Sequence, residues 1–408
     1  MDSNSFVFGV LDKFRMDDGT DIIVVGKVNG VIEKGMAVMI RNYGDDDAAE
    51  NVVKITAVEI QQRSEKMAEN CFAALRIECG QMMKIKTGTV LYTSDVEESR
   101  IHDTYVSAIG DYFVGKKRLE LSDEDLRDMS ITDCAEAWRI FGMVCAQNRD
   151  ESRKEEDLKK RRRVAEALCK KILSSDEVFC IYNNKTDNPH MFSQTIDRND
   201  DTYMCTPPEI LLIPKACEKL YSRLYQGDAF TVRKIENGND GEGIRSFLAD
   251  VFASNGVRGV RVLTDKTSID AEMFVPDISK DDANPSLEQW ILLIGQMNEP
   301  ETTDEKIIFN LYYHFLSREL VKARLYMPVS GESEKEVLFS TVAGRNNRQA
   351  VHMFTDVKRL NKACGEGQRY IVQPVSAMIE IFDCIINPSE KPAAGCYISR
   401  EAYEEMNK

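Results

Sequence analysis

Three short motifs contain residue types that bind nucleotides or metals, and each lacks a partner that its chemistry needs. Residues 184–187 (Asn-Lys-Thr-Asp) follow an apolar strand, as a guanine-recognition motif does. The chain has no G-x-x-x-x-G-K-[ST] loop that could hold the phosphates. Residues 241–243 (Gly-Glu-Gly) have Ser246 where a dinucleotide loop needs its third glycine. Residues 45–47 (Asp-Asp-Asp) lack the spaced oxygens of a calcium loop. We interpret all three as turns or loops.

Histidine and cysteine, the usual metal ligands and nucleophiles, show no local signature. None of the four histidines lies near a second His or Cys at zinc-ligand spacing, so we expect neither a metal site nor a bound cofactor. The 11 cysteines include no C-x-x-C pair, which favours reduced thiols over a disulfide framework. A Cys–His pair that forms only in space stays open. Its candidate nucleophiles are Cys364, Cys384 and Cys396.

Two polar segments are candidates for binding. Residues 159–163 (Lys-Lys-Arg-Arg-Arg) form a dense basic cluster that could contact phosphates, but the acidic residues 155–157 precede it at i,i+4 spacing. We therefore favour a salt-bridged, exposed helix. Asn387, Pro388 and Ser389 form a stiff turn that we take as a candidate ligand-edge loop, although such a turn more often only reverses the chain. We predict no catalytic residue.

Length and composition limit the elements that can position these residues. The chain has 408 residues, of which 43% are hydrophobic and 30% charged, and its formal net charge is −15. This length predicts several domains, and the composition excludes a broadly disordered chain. The negative charge disfavours non-specific binding to nucleic acid or membranes. No stretch approaches the roughly 18 apolar residues of a membrane span, and the first residues do not form a signal peptide. We expect a cytoplasmic protein.

Short strands dominate the first part of the chain, and helices follow. Within residues 1–95, six runs rich in Val, Ile and Phe predict a small closed β-barrel. Residues 96–172 have helical periodicity and predict a helical connector, with helix starts at Ser122 and Thr132. The predicted strands are 6–14, 21–27, 36–40, 52–60, 71–77 and 89–92.

The remainder contains a degenerate internal repeat. Four segments of a first copy, beginning at Val178, recur in the same order in a second copy beginning at Ala323. We therefore predict two α/β domains, at 173–280 and 316–408, joined by a helical linker at 281–315. The predicted fold is a multidomain α+β chain with a barrel, a connector and a decayed tandem repeat. The matched segments are 178–182 with 323–327, 191–193 with 338–340, 213–220 with 354–360 and 230–233 with 370–373.

Three segments of the barrel region carry a family resemblance. They are residues 21–25 (Asp-Ile-Ile-Val-Val), 30–35 (Gly-Val-Ile-Glu-Lys-Gly) and 88–91 (Gly-Thr-Val-Leu). In this order they resemble the second, β-barrel domain of translational GTPases of the elongation factor Tu type. The resemblance implies tight glycine hairpins around an apolar interior, and it does not extend to the GTPase domain.

A second resemblance lies in the C-terminal part. Residues 323–328 (Ala-Arg-Leu-Tyr-Met-Pro), 351–356 (Val-His-Met-Phe-Thr-Asp) and 385–388 (Ile-Ile-Asn-Pro) resemble the N-terminal domain of SseB-like (enhanced serine sensitivity) proteins. The resemblance implies a small α/β domain without an agreed set of catalytic residues. The first copy departs from this pattern, because Pro214 stands where Thr355 does and the Asn-Pro element has no counterpart.

These observations together favour a binding function. We predict a non-catalytic, cytoplasmic binding or adaptor protein of bacterial type, with another protein as its partner and no membrane contact. One alternative is a translation-associated factor that contacts the ribosome or RNA through the barrel. The 12 basic and 17 acidic side chains of residues 1–100 disfavour it. The other alternative is an enzyme with its site between the two α/β domains.

Overall fold

The computed structural model describes residues 5–15, 21–44, 51–78, 85–117, 121–197, 203–263, 268–276, 283–330 and 337–406. The predicted turn at Asp45–Asp47 lies outside these ranges. The chain forms two compact units, which consist of residues 1–172 with 214–217, and of residues 173–213 with 218–408. The finer division into five segments stays a prediction.

The first unit contains nine strands and four helices within the described residues. Its strands are β1 (Val7–Arg15), β2 (Asp21–Asn29), β3 (Val31–Glu33), β4 (Ala37–Arg41), β5 (Asn51–Ile60), β6 (Arg63–Glu65), β7 (Met67–Glu69), β8 (Phe72–Glu78) and β9 (Val90–Tyr92). Its helices are α1 (Glu98–Ile109), which continues into a π-helical segment at Gly110–Lys116, α2 (Asp123–Asp128), α3 (Ile131–Gln147) and α4 (Glu151–Leu173).

All six predicted strands of this region are present, as β1, β2, β4, β5, β8 and β9. Together with β6 they pair in the order β4-β9-β1-β2-β8-β5-β6. Because β4 also pairs with β5, the path of hydrogen bonds through the six strands other than β6 closes on itself. Alternate residues of β8 are buried, as a strand with one apolar face requires. The enclosed core includes Phe6, Phe8, Leu75, Ile77 and Leu91, each fully buried.

Two irregularities shape this sheet. Gly26 lies so close to the neighbouring strand that a Cβ would approach the carbonyl oxygen of Gly9 to 2.0 Å, so only glycine fits there. The register between β5 and β8 shifts between Ile55 and Ala57, which leaves Thr56 as the extra residue of a β-bulge. Such a bulge bends the strand and changes the direction of the side chains beside it.

A buried aspartate holds the helices of the first unit to its strands. Asp133 accepts hydrogen bonds from the Tyr105 hydroxyl at 2.9 Å and from the Ser130 backbone N–H at 2.9 Å, and Lys86 Nζ lies 3.2 Å away. Burial raises the pKa of Tyr105 well above its usual value, so the hydroxyl stays a donor. Ser130 and Asp133 form the capping box of α3. The predicted start at Thr132 is therefore wrong by two residues, whereas α2 begins after Ser122 as predicted.

The second unit contains 14 strands and eight helices within the described residues. Its strands are β10 (Glu177–Asn183), β11 (Asn188–Pro189), β12 (Thr195–Asp197), β13 (Tyr203–Cys205), β14 (Glu209–Pro214), β15 (Phe230–Glu236), β16 (Gly259–Val262), β17 (Ser268–Asp270), β18 (Arg324–Pro328), β19 (Thr341–Ala343), β20 (Gln349–Met353), β21 (Tyr370–Pro374), β22 (Asp383–Ile386) and β23 (Cys396–Ile398). Its helices are α5 (Glu218–Leu224), α6 (Gly243–Ser254), α7 (Ala271–Phe274), α8 (Pro285–Gln296), α9 (Thr303–Lys322), α10 (Val357–Cys364), α11 (Val375–Ile379) and α12 (Arg400–Met406).

Two groups of strands in this unit pair in a similar way. In the first half, residues 173–276, the order is β11-β10-β14-β16-β17, β15 also pairs with β10, and β14 and β16 run parallel. In the second half, residues 316–406, β21 pairs with β18, and the parallel strands β20 and β22 are followed by β23. A backbone bridge from Tyr326 to Phe354 joins β18 to the end of β20.

Two helices lie between these halves in the sequence. Asn284 precedes α8, whose first residue is Pro285, and Thr302 caps α9 by a capping box with Glu305. The rings of Trp290 and Phe315 stack at 4.8 Å, so the two helices pack through aromatic side chains. Within the described residues, no helix is long and apolar enough to cross a membrane.

We predict that Asp133→Ala lowers the free energy of unfolding by about 3 kcal/mol, because it leaves Tyr105 and Lys86 without their buried acceptor and removes the Asp133 half of the capping box of α3. Asp125→Ala is a matched control, since Asp125 forms the same capping box on α2 at a more exposed position. This control should lose only about 1 kcal/mol. Urea unfolding measures both values, and equal losses would contradict the prediction.

Candidate functional site

The predicted ligand-edge loop lies where the parallel strands β20 and β22 end. Asn387 directly follows β22, and its side-chain oxygen accepts the backbone N–H of Thr355, two residues beyond β20, at 2.9 Å. Asn387 has a left-handed backbone with φ of 52°, which asparagine tolerates better than most residues. The carboxyl ends of parallel strands are a common place for ligands in α/β sheets.

A fully buried glutamate of α8 lies at the ends of these two strands and binds the residues that follow both of them. Glu288 Oε2 accepts the Thr355 hydroxyl at 3.1 Å and the Asn387 side-chain amide at 2.6 Å. Its other oxygen, Oε1, lies 2.8 Å from Arg359 Nη2 and forms an ion pair. Burial raises the pKa of Glu288 to about 7, against the opposing effect of the Arg359 charge.

The guanidinium of Arg359 connects this edge to the first half of the second unit. It pairs with Asp356 and donates a hydrogen bond to Asn255 Oδ1 at 2.8 Å. Asn255 directly follows α6. Asp356 also accepts the backbone N–H of Arg359 at 2.8 Å and so caps α10. One cluster, formed by Asn255, Glu288, Thr355, Asp356, Arg359 and Asn387, therefore ties four segments together. We call it the interior polar cluster.

This geometry places the three predicted loop residues in different environments. Asn387 is buried and its amide binds Glu288, so a polar ligand would have to displace that glutamate. Pro388 is half-buried and Ser389 is exposed. The Ser389 hydroxyl donates to the carbonyl oxygen of Lys391 at 2.8 Å and accepts the Lys391 N–H at 3.2 Å. The cluster fixes the loop, and only Pro388 and Ser389 can meet a ligand from outside.

The side chains of the Asn-Lys-Thr-Asp motif bind other residues of the protein. Residues 184–187 form a turn, in which Lys185 Nζ donates to the carbonyl oxygen of Met297 at 2.9 Å and to Asn298 Oδ1 at 2.6 Å. Asp187 in this turn pairs with Arg233. The lysine and the aspartate that would read a guanine are thus bound to the protein itself.

The basic cluster of α4 is also paired, as its spacing predicts. Lys159 and Lys160 form i,i+4 ion pairs with glutamates at 2.9 Å. Arg162 and Arg163 pair with carboxylates at 3.1 and 2.7 Å, and the Arg161 guanidinium lies 3.9 Å from the centre of the Trp138 ring. Such pairing leaves little free charge for phosphates.

The three candidate nucleophiles lack the environment of a reactive thiol. Burial raises the pKa of Cys384 and of Cys396 to about 12, and it also raises the pKa of the more exposed Cys364. The thiolate is the nucleophile, so all three are poor nucleophiles at neutral pH. Within the described residues, no group of three His, Cys, Asp or Glu is placed to hold a metal ion.

Exposed apolar side chains mark one strand pair in each half of the second unit. In the second half, β19 is the end strand of its sheet, Val342 is 36% exposed, and nearby Leu338 is 60% exposed. In the first half, Ile196 of β12 lies opposite Met204 of β13, and these two side chains are 45% and 37% exposed. We call the segment from Leu338 to Ala343 the edge segment. From the sequence, residues 338–340 were matched only as part of the internal repeat, and no binding role was predicted for them.

We predict that Glu288→Gln flattens the pH dependence of stability. The carboxyl holds its proton more tightly in the folded state, where its pKa is about 7, than in the unfolded chain, where it is near 4.5. Its contribution to the free energy of unfolding is therefore full below pH 4.5 and is lost as the pH rises to 7, by about 3 kcal/mol. Urea unfolding across this range measures it. Exposed Glu301 supplies a control Glu→Gln change, and an unaltered slope in the Glu288 variant would contradict the prediction.

We also predict that iodoacetamide at neutral pH modifies Cys364, Cys384 and Cys396 no faster than a cysteine in an unstructured peptide, because all three thiols stay protonated. Buried Cys384 should react only after the protein is unfolded. Peptide mass spectrometry over time measures the rates. Rapid, selective alkylation of one of them in the folded protein would instead favour an enzyme.

Comparison with known proteins gives one family for part of the chain. Residues 314–393 match the family model described as SseB protein N-terminal domain, which confirms the resemblance of the C-terminal part. The match includes Thr355, Asp356, Arg359 and Asn387 but not Glu288. No curated protein matches the chain significantly.

Solved structures of translation factors are similar over part of the chain. Translation elongation factor SelB from Methanococcus maripaludis, in its apo form, is 17% identical over 23% of this chain and 20% of that chain, with a TM-score of 0.20. Sup35 complexed with GMPPNP is 21% identical over 23% of this chain and 21% of that chain, with a TM-score of 0.19. This chain thus spans about a fifth of those structures. It is a mixed α/β protein whose C-terminal part is similar to the SseB N-terminal domain.

Proposed function

We propose that the chain is a non-catalytic binding protein, an adaptor whose partner is another protein, and that this partner docks on the edge segment. The observation that carries the proposal is the exposure of Leu338 and Val342 at β19, which within the described residues pairs only with β20. An end strand offers unpaired N–H and C=O groups to an added strand, and burying a leucine contributes roughly 1.5–3 kcal/mol.

The occupied polar side chains support a function without catalysis. In the interior polar cluster, Glu288 binds both Arg359 and Asn387, and burial keeps the candidate cysteine nucleophiles protonated. A catalytic site needs a group that is free to act on a substrate. The same residues fit a rigid scaffold that presents its surface.

We propose further that the two halves of the second unit are a decayed tandem repeat of SseB-like domains. The similar order of strand pairing supports this, since both halves contain an antiparallel pair, a parallel pair and an antiparallel end strand. Leu263, directly after β16, has φ of 65°, and Asn387, directly after β22, has φ of 52°. A left-handed leucine is uncommon, so this shared conformation is a specific feature.

The sheet of the first unit is, in our proposal, a small β-barrel of the translation-factor type. Its support is the closed path of pairing through six strands around fully buried Phe6, Phe8 and Leu75. Closure of this kind removes the free edges of the strands that take part. The barrel then serves the adaptor as a second rigid module.

We predict that Leu338→Glu lowers recovery of the protein partner at least tenfold when the tagged chain is purified from its native cells, because a charge replaces a buried contact worth about 1.4 kcal/mol or more. Leu220→Glu is the matched control, since Leu220 is 57% exposed in the same unit. Quantitative mass spectrometry of the bound proteins measures the recovery.

Two outcomes of this experiment, and one of a separate activity assay, would contradict the proposal. One is equal recovery of the partner by wild type and by the Leu338 variant. Another is recovery of ribosomal components that are lost as salt rises, which would favour a translation-associated factor. The last is turnover of a nucleotide, an ester or a peptide by the purified protein, which would favour an enzyme.

A further inference from the structure

A groove on the first unit has a basic lining that the net charge of the chain conceals. It encloses about 690 Å³, and Lys34, Lys54 and Lys66 lie around it. The chain as a whole carries a net charge of −15, so three cations around one groove are a local reversal of sign. The other lining residues are Glu33, Gly35, Ile55, Thr56 and Met67.

Backbone hydrogen bonds bring the three lysines together from separate strands. Lys34 follows β3 and donates its N–H to the carbonyl oxygen of Lys66, between β6 and β7, at 3.0 Å. The next residue, Gly35, donates its N–H to Ile55 of β5 at 2.8 Å, directly after Lys54. The bulge at Thr56 bends β5 at this point. Rigid strands thus position the groove.

The ammonium groups of these lysines are free to bind. All three side chains are exposed, and within the described residues none of them forms an ion pair. Many other basic side chains, such as those of α4, are paired with carboxylates. Glu33 is the carboxylate among the lining residues, so the lysines outnumber it three to one.

We propose that this groove binds an extended acidic segment of a partner protein. Three point charges suit carboxylates along a peptide, and the 43% exposed side chain of Met67 offers apolar contact beside them. The aliphatic stems of the lysines add to that apolar wall.

A nucleic acid fits this lining less well. The residues that line the groove include no aromatic ring on which a base could stack and no arginine fork for a phosphate. The inference does not rest on the edge segment, which belongs to the other unit, so either proposal can fail alone.

The test uses a fluorescent decapeptide that repeats Glu-Glu-Leu, with the full-length protein. We expect Lys34→Gln, Lys54→Gln and Lys66→Gln together to weaken its binding at least tenfold in fluorescence anisotropy at low salt. Binding to the wild type should also weaken as salt screens the charges. The control triple Lys219→Gln, Lys306→Gln and Lys362→Gln changes the net charge equally at exposed positions and should bind like the wild type.

A control peptide and a measurement of the fold distinguish specific binding from other effects. A peptide with Gln in place of every Glu should not bind. Circular dichroism of both triple variants should match the wild type, which separates a lost site from a lost fold. Equal binding by the two triple variants would overturn the proposal. Tighter, groove-dependent binding of a uridine dodecamer would overturn it in favour of RNA.

Discussion

A carboxylate removed from water must find compensating partners, and Glu288 finds them in two other segments, residues 355–359 and the loop at Asn387. Its oxygens meet a hydroxyl, an amide and a guanidinium, and each belongs to a segment distant in the sequence. Because a buried charge without partners costs several kcal/mol, this one side chain requires α8, α10 and the strand ends to stay in register. The position of the Asn387–Ser389 loop, and of the sheet that carries the edge segment, depends on that requirement.

The two units satisfy the same constraint in different ways. In the first unit, Asp133 joins a strand connection to two helices, and its cap on α3 doubles as the acceptor for Tyr105. In the second unit, Arg359 performs the joining and Asp356 performs the capping. Both units therefore keep these buried charged groups paired and leave lysines or apolar side chains outside. Such a division of roles suits a protein that binds through its surface.

The sequence predicted the elements whose signal is local and missed the contacts that only the fold creates. Apolar runs located six strands, but β3, β6 and β7 have three residues each and, unlike the equally short β9, each contains a charged residue that interrupts the apolar pattern. The helix start predicted at Thr132 was wrong because Ser130, two residues earlier, forms the capping box with Asp133. Glu288 was missed because its partners lie 67 and 99 residues away. No spacing rule brings Lys34, Lys54 and Lys66 into one groove.

Strand closure also bears on how the protein behaves when it is crowded. Each of the six strands in the closed path has neighbours on both sides, so none of them can template a strand from another molecule. Within the part of the chain that the structure describes, the end strand β19 has a neighbour on one side only, and it has three residues. Self-association of concentrated protein would therefore begin at end strands such as β6 and β19, and not in the closed path. The short length of β19 is then a safeguard as well as a docking feature.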